Sequence, residues 1–441
     1  MLALKIVLIV VYIIMLSIMF ITERDKPKNI ILWALAFFVL SIIAYFAYGI
    51  SKLILTKKKQ SLATKQWEDD VYKDLVSHNI NATAIKDAGD FFDFNHLAYD
   101  ANTTINNKCK VISSYTELKN ELLNDLSSAN ELIIFEVVNV NKLDFEQIKE
   151  VLITKAKAGV NVKFVYDGIL NLRLKRDLKN AGVKVYKFSK YNTLGGIYKN
   201  TRNLISIDNR VVYSGNLDIK NKQLRQNFDI MDAFIKYEGN VVQDIDLNLH
   251  QDVTFATGKF IEFKQHMQSN SGNCKVQFVS NSASEDLELL IVKAIITAKK
   301  SITLQLDEFI PTESIMSLLR FAINSNIDVK LMIPLKKSKF STYYATRAYA
   351  KELALFGANV YLYDGFIRFN SIVVDEQFVL VGSFNINREH VNTSLQNIAV
   401  IEDKTVVGEF VNLFKLGIDN SYRINDARYM LLKEKFFKNF V

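Results

Sequence analysis

The sequence predicts an α/β protein in which two N-terminal transmembrane helices precede two tandem α/β domains related by internal duplication. Three observations carry that expectation. Two long uncharged apolar runs fall within the first 50 residues, and amphipathic helices alternate with β-branched strands twice after about residue 107. A 21-residue stretch also matches another lying 167 positions upstream. The 441 residues suffice for two or three domains with a sizeable core. With 49% apolar and 12% aromatic residues, disorder of the whole chain is excluded.

The first apolar run covers 6–21, and residues 23–28 (ERDKPK) interrupt it before a second run of 21 uncharged residues at 30–50. Either run approaches or meets the roughly 20 residues needed to cross a bilayer core. No small-x-small cleavage site follows the first run and a second comes at once, so 1–55 reads as a two-helix membrane anchor rather than a cleaved leader. Lys52, Lys57, Lys58, Lys59 and Lys65 follow the second run, with Lys5 on the same side; the short loop carries Arg24, Lys26 and Lys28. That balance places a multi-pass protein in the cell membrane with its body in the cytoplasm. Lys57–Lys59 also suit anionic headgroups, at about 1 kcal/mol per charge, as well as serving as a plain topology signal.

The net charge of +8 and the pI near 9.0 fit nucleic acid or an anionic membrane surface. The two apolar runs favour the membrane, and no nucleic-acid partner is expected. Cys109 and Cys274 are the only cysteines and form no metal-binding or redox spacing, which argues against a disulfide framework or zinc site.

Residues 56–105 are polar and lack sustained periodicity, so they read as a connecting segment with a short helix near 67–76. The first domain, 106–265, is predicted as helix 114–130, strand 132–138, helix 144–158, strand 160–166, helix 172–181 and strand 183–188. The second, 270–441, repeats the pattern as helix 287–300, strand 302–306, helix 313–324, strand 327–333, helix 344–356 and strand 360–363. This alternation implies largely parallel sheets. Residues 199–219 (KNTRNLISIDNRVVYSGNLDI) align without gaps on 366–386 (FIRFNSIVVDEQFVLVGSFNI). Asn203 matches Asn370, Ile205 Ile372, Asp208 Asp375, Val212 Val379, Gly215 Gly382 and Ile219 Ile386. Each copy has the shape of a hairpin with a polar turn, and two such copies can face one another across a cleft.

The spacing resembles the phospholipase D superfamily signature, His-x-Lys-x4-Asp-x6-Gly-Ser-x-Asn, which occurs twice per active site. The two N-terminal apolar runs and the segments AKAGVNVKFVYDG, LKNAGVKVYKF, EFIP and DVKLMIP narrow the resemblance to bacterial cardiolipin synthases across nearly the whole chain. In that family one motif histidine attacks a phosphodiester and the other protonates the leaving alcohol. The lysines neutralise phosphate oxygens, each aspartate orients its histidine, and no metal or other cofactor takes part. One phosphatidylglycerol donates the phosphatidyl group and another accepts it. That division of labour suits the chemistry, which needs a nucleophile, an opposed general acid and cations on the developing charge.

This chain departs from the family at the reactive positions. Thr201 and Arg368 stand at the histidine positions, and Asn203 and Asn370 at the lysine positions. Asp208, Asp375, Gly215, Gly382, Ser383 and Asn385 remain; downstream, Ser394-Leu395-Gln396 replaces the usual Asn-Phe-Glu. None of the five histidines occupies a motif position, and His390 is nearest to one. Arg368 cannot exchange a proton near neutrality but can hold a phosphate in bidentate fashion. A Thr201 nucleophile would need an adjacent base.

The expectation is therefore a catalytically inactive relative that binds anionic phospholipid or modulates an active cardiolipin synthase. The alternative is an active phosphatidyltransferase with atypical site residues. Arg202, Arg368, Ser383 and Asn385 are the candidate phosphate or lipid contacts. Asp208 and Asp375 either cap turns, pair with Arg202 or Arg368, or face a ligand. Tyr343, Tyr344 and Tyr361 either line a lipid-facing cleft or pack in the core.

Overall fold

A computed structural model describes residues 89–138, 145–168, 170–188, 199–216, 229–257, 272–281, 287–336, 340–387, 394–424 and 431–440, with isolated positions before residue 50. Two compact units are distinguished, one of residues 76–430 and one of residues 1–75 with 431–441. In the second unit a helix spans Leu432–Phe440. The predicted membrane runs and the short helix near 67–76 lie almost wholly outside the described residues. Among the described residues no helix is long and apolar enough to cross a membrane.

The larger unit opens with α1 (Asp90–Tyr99), β1 (Thr103–Ile112), α2 (Tyr115–Ser128), β2 (Leu132–Val137), α3 (Glu146–Lys157), β3 (Asn161–Tyr166), α4 (Leu172–Asn180) and β4 (Lys184–Lys187). Next come β5 (Lys199–Asn200), β6 (Leu204–Ile207), β7 (Val211–Gly215), β8 (Ile230–Met231), β9 (Phe234–Gly239) and α5 (Val241–Thr257). The second half runs β10 (Cys274–Ser280), α6 (Glu288–Thr297), β11 (Ser301–Gln305), β12 (Phe309–Ile310), α7 (Glu313–Asn324), β13 (Asp328–Pro334), α8 (Phe340–Leu355) and β14 (Asn359–Tyr363). It ends with β15 (Phe366–Ile367), β16 (Asn370–Val374), β17 (Phe378–Gly382), β18 (Ile386–Asn387), β19 (Ser394–Leu395), β20 (Asn397–Glu402), α9 (Lys404–Asp419) and β21 (Ser421–Arg423).

Fifteen strands form one sheet in the order β21-β14-β13-β11-β16-β17-β20-β10-β1-β9-β7-β6-β2-β3-β4. Read outward from the β1–β10 seam, seven strands on each side follow a matching chain order, and the second half adds β21 at its edge. The expected break between tandem domains is bridged by that seam, where Thr103 lies opposite Gln277 and Thr104 opposite Val276. The expected connecting segment is also shorter than 56–105, because α1 and the start of β1 fall inside it.

Within this sheet the parallel pairings are confined to β2, β3 and β4 in one half and β11, β13 and β14 in the other, while the edge strand β21 runs antiparallel to β14. The motif segments form antiparallel hairpins instead, β6–β7 and β16–β17. The sheet is therefore mixed rather than largely parallel. The turns are the physical reason. Asp208-Asn209 has φ of 52° and 50°, and Asp375-Glu376 has φ of 53° and 55°. Two consecutive residues at positive φ make the tight reversal that joins adjacent antiparallel strands.

On one face of the first half, Leu118, Leu122 and Leu126 of α2, Ile148 and Leu152 of α3, and Leu174 and Leu178 of α4 pack over Ile133, Phe135, Val162 and Phe164. Their helical spacing gives each helix one apolar stripe and leaves the opposite side to water. The other core joins α5 and α9 to strands of both halves, with Val241, Ile245 and Leu249 beside Val276, Val381, Phe410 and Phe414. Buried residues run almost all round α5, the polar Gln243, Asp246, His250 and Asp252 among them, so this helix is enclosed on most sides.

Two further pairings interlock the halves. Strand β5 pairs parallel with β19, and β15 pairs parallel with β8. Each motif thus enters its hairpin while bonded to the opposite half.

Candidate functional site

The motif aspartates sit at the turn ends of the hairpins. Asp208 accepts the backbone N–H groups of Asn130, Glu131 and Leu132 at 2.8, 2.8 and 2.9 Å. Asp375 accepts those of Lys299, Lys300 and Ser301 at 2.8, 2.7 and 2.8 Å. Each carboxylate ties its turn to the entry of the neighbouring strand, β2 or β11. Burial pushes the Asp208 carboxyl up, but the N–H groups of Leu132, Glu131 and Asn130 together outweigh it and hold it below its usual value. Both aspartates thus bond the main chain of a neighbouring segment rather than that of their own turn. Neither pairs with Arg202 or Arg368 as considered from sequence; Asp208 instead meets Arg210 at 3.3 Å.

A cavity of about 230 Å3 lies at the other end of the hairpins, between the two halves. Thr201, Asn203, Ser214, Gly215 and Asn216 line it from the first half, and Asp307, Arg368, Asn370, Ser383 and Asn385 from the second. The structure therefore gathers both pairs of altered positions around one space. Of the four candidate phosphate contacts it brings Arg368, Ser383 and Asn385 to the wall.

The two asparagines at the lysine positions serve the main chain. The side-chain oxygen of Asn203 accepts Val138 N–H at 3.0 Å, and its amide donates to the Thr201 carbonyl at 3.2 Å. In the same way Asn370 accepts Asp307 N–H at 3.0 Å and donates to the Phe384 carbonyl at 2.6 Å. An ammonium has donors only and could not satisfy Val138 or Asp307 N–H. These asparagines thus fill a bonding role that lysine cannot.

The two residues at the histidine positions bond across the halves. The Thr201 hydroxyl donates to the Leu395 carbonyl at 2.8 Å, and its backbone N–H reaches the same oxygen at 2.9 Å. The Arg368 guanidinium donates to Asn216 Oδ1 at 2.9 Å, and its backbone N–H bonds Met231 at 2.9 Å. The Thr201 proton is therefore directed at a carbonyl, which is no general base.

Ser383 accepts Asn397 N–H at 3.0 Å and donates its own N–H to Asn397 Oδ1 at 3.1 Å. The glycine before it is required by packing, since a Cβ on Gly382 would lie 2.2 Å from the Asn397 carbonyl. Asn385 lines the cavity, and its buried oxygen has no hydrogen-bond partner among the described residues.

The fourth candidate, Arg202, is a correction. Its side chain is 5% exposed and absent from the cavity wall; it pairs with Asp252 at 2.6 Å and donates to the Asn281 carbonyl at 2.7 Å. Asn200 Nδ2 also reaches Asp252, at 3.0 Å. The segment between β5 and β6 is not extended strand: Arg202 N–H bonds Asn200 Oδ1 at 3.0 Å and Asn203 adopts φ of 52°, with Thr201 and Asn203 on the cavity wall and Arg202 off it.

Glu136 lies in the same buried region, its carboxyl raised well above the ordinary range by burial first and by Asp252 second. The sequence reading missed Glu136, Asp252 and Asp307. A lone acid within the apolar strand LIIFEV was a usable signal for Glu136; nothing local marked the other two. Tyr361 packs edge-on against Phe414 of α9, and neither Tyr343 nor Tyr344 lines the cavity.

Histidine does not rescue the site among the described residues. His250 is buried against the Asp246 carbonyl and held near pKa 4 by burial, while His96 bonds the Ala101 carbonyl. Neither lines the cavity. His78, His266 and His390 lie outside the described residues. On the described wall, the ionisable side chains are Asp307, Tyr237 and Arg368. Tyr237 is pushed well up by burial, so it holds its proton.

Residues 291–416 match the family model described as "Cardiolipin synthase, PLD-like domain". The chain is 29% identical to the major cardiolipin synthase ClsA of Bacillus subtilis, covering 92% of this chain and 91% of that one. It is 27% identical to a cardiolipin synthase of Alkalihalophilus pseudofirmus, covering 96% and 89%. Among solved structures, the phosphatidylserine synthase of Haemophilus influenzae superposes with a TM-score of 0.59 at 12% identity, covering 75% of this chain and 92% of that one, a likeness of fold alone. Hairpin spacing, cavity position and full-length similarity converge: the chain is cardiolipin synthase-like, with a phospholipase D-like domain at 291–416, and lacks the motif histidines and lysines.

Proposed function

We propose that this chain is a membrane-associated, catalytically inactive cardiolipin synthase-like protein that works by binding or by association. One observation carries the reading. All four altered motif positions are engaged by hydrogen bonds to main chain or to the opposite half, and none offers a nucleophile with a base beside it. General acid–base help contributes about 10²–10⁴-fold, and loss of the nucleophile removes the covalent route altogether.

Arg368 is the cation that would meet an anionic phospholipid headgroup in the cavity, and an active cardiolipin synthase is the partner such a protein would modulate. The equivalent strand order of the halves, with the six motif identities, supports descent from one duplicated unit. The full-length relatives support membrane association of the body through the predicted anchor.

The test is lipid analysis by mass spectrometry in cells lacking their own cardiolipin synthases. No cardiolipin above background is expected. Cardiolipin that disappears in a Thr201→Ala/Arg368→Ala variant would establish the active alternative. Binding is tested separately by titrating phosphatidylglycerol into the full chain in neutral detergent micelles. Arg368→Glu should weaken it, and equal binding to a neutral lipid would remove the headgroup role.

A further inference from the structure

The helix Leu432–Phe440 (LKEKFFKNF) contributes nothing to the described cavity wall, and its surface is unlike that of an ordinary solvated helix. Leu432 is 86% exposed and Phe436 58%, with Leu431 just before the helix at 58%. Leu432 and Phe436 are four residues apart in one helix, so they stand together on one face. Lys433 and Lys435 are exposed as well. The acid of this helix is withdrawn from the surface. Glu434 is 0% exposed, and its carboxylate accepts Leu431 N–H at 2.8 Å.

Among the described residues of this helix, the exposed surface therefore combines large apolar groups with ammonium groups and shows no carboxylate. Water alone would leave the leucines and Phe436 wet. A second copy of the helix would set lysines against lysines, and lysine is depleted from the cores of protein interfaces. The bilayer interface suits both kinds of group at once. Apolar side chains enter the acyl boundary, while lysine stems lie along it and carry their charge back to anionic headgroups.

The unit to which this helix belongs selects the same occupant. Residues 431–441 are far in sequence from residues 1–75, yet the two stretches form one compact unit, separate from residues 76–430. Residues 1–75 contain both apolar runs, 6–21 and 30–50, and the lysines Lys57, Lys58 and Lys59 that suit a membrane surface. A helix that shares a compact unit with a membrane anchor is held where acyl chains meet headgroups. Its charge fits that place, since Lys433, Lys435 and Lys438 outnumber Glu434.

We infer that the helix Leu432–Phe440 is a second membrane contact, lying in the plane of the bilayer interface with Leu432 and Phe436 in the acyl boundary and its lysines among anionic headgroups. The larger unit is then joined to the membrane both before and after it in sequence, which restricts its motion over the surface more than a single tether does. The inference rests on the membrane association proposed above and is independent of whether the cavity binds lipid.

The test places a fluorophore through Leu432→Cys in a full-length Cys109→Ser/Cys274→Ser chain reconstituted in phosphatidylglycerol-containing liposomes. The control label is Asn120→Cys, exposed on α2. Spin-labelled lipid should quench the label at 432 and spare the one at 120; iodide on both sides of the bilayer should do the reverse. Adding Phe436→Glu should reduce lipid quenching at 432, and melting temperatures check that the body stays folded. Quenching at 432 by iodide puts the helix in water, and protection from both quenchers puts protein against it. Either result overturns the inference, as does equal lipid quenching of the two labels. Equal lipid quenching at 432 in phosphatidylcholine liposomes would overturn the role of the lysines. Flotation with the liposomes is measured on the same samples. A floating chain without lipid quenching at 432 leaves the membrane association standing, whereas a chain that does not float overturns both.

Discussion

Replacing Asp375 tests whether the motif aspartates are structural anchors. Its Oδ1 accepts two N–H groups, from Lys300 and Ser301, and Oδ2 accepts one from Lys299. In Asp375→Asn one oxygen remains for Lys300 and Ser301, while the new NH2 faces the Lys299 donor. One charge-assisted bond is lost, at about 1.5–3 kcal/mol. The positive φ of 53° is tolerated by asparagine, so no backbone term is added.

Asp375→Ala loses all three bonds and adds about 1–2 kcal/mol for a Cβ residue in the left-handed region. The released N–H groups of Lys299 and Lys300 lie at the surface and can turn to water, whereas Ser301 is partly buried. A total of about 3–5 kcal/mol follows, roughly twice the asparagine value. Thermal melts and denaturant titrations of the detergent-solubilised full chain measure both. The ranking Ala worse than Asn worse than wild type is expected, with the same ranking at Asp208. An Asp375→Ala protein within about 0.5 kcal/mol of wild type would refute the anchor assignment, because changes that small are typical of surface sites without a partner.

Three further outcomes follow from the buried groups. The Glu136 carboxyl is raised in the folded state, so its favourable contribution is complete below the ordinary carboxylate pKa and declines as pH rises toward the folded value, by up to about 1.4 kcal/mol per pH unit. Glu136→Gln should therefore melt higher than wild type at pH 7–8 and converge with it near pH 4; Gln305 already occupies the equivalent place in β11, and an unchanged pH profile would contradict the assignment. Arg202→Met leaves Asp252 buried without its cation and should cost about 3–5 kcal/mol in melts, well beyond the effect of Arg210→Met, where the arginine is exposed and Asp208 keeps three N–H donors. Gly382→Ala pushes a methyl into the Asn397 carbonyl and should cost about 2–4 kcal/mol, whereas Gly408→Ala, with open space around it, should be neutral or stabilising.

Periodicity reached most of the outer elements. The predicted helix 313–324 matches Glu313–Asn324, and the predicted strand 360–363 differs by one residue from Asn359–Tyr363. It failed where polar residues satisfy one another inside. Strand β1 (TTINNKCKVI) runs through the centre of the sheet, yet it looks like linker. Asn107 makes this possible by donating to the Thr104 and Cys274 carbonyls at 3.1 Å and accepting Val241 N–H at 2.7 Å. Hydropathy cannot register such a strand.

The hairpins themselves were legible as apolar runs about a polar turn, but their turn geometry was not, since it rests on two successive positive-φ residues that include the unexpected Glu376. At the site, spacing identified the altered positions, and the structure gathered them around one cavity. It could not show that Arg202 points away or that Asp208 and Asp375 lie at the far end. Those facts depend on the left-handed backbone at Asn203 and on the chain segments that each carboxylate reaches.

The β1–β10 seam has a consequence for synthesis. Strand β1 waits roughly 120 residues for β9, and its other edge waits about 35 residues more for β10, which at about 5–20 residues per second is some 2–7 s. During that interval the nascent first half carries an unpaired central strand, with Asn95 and Gln277 still to find each other across the seam. Two features limit mispairing in that window. The edge of β1 is rich in asparagine and lysine, and a bulge between Thr104 and Asn107 disrupts its register. The polarity that makes β1 look like linker thus also protects the growing chain from premature edge-to-edge aggregation.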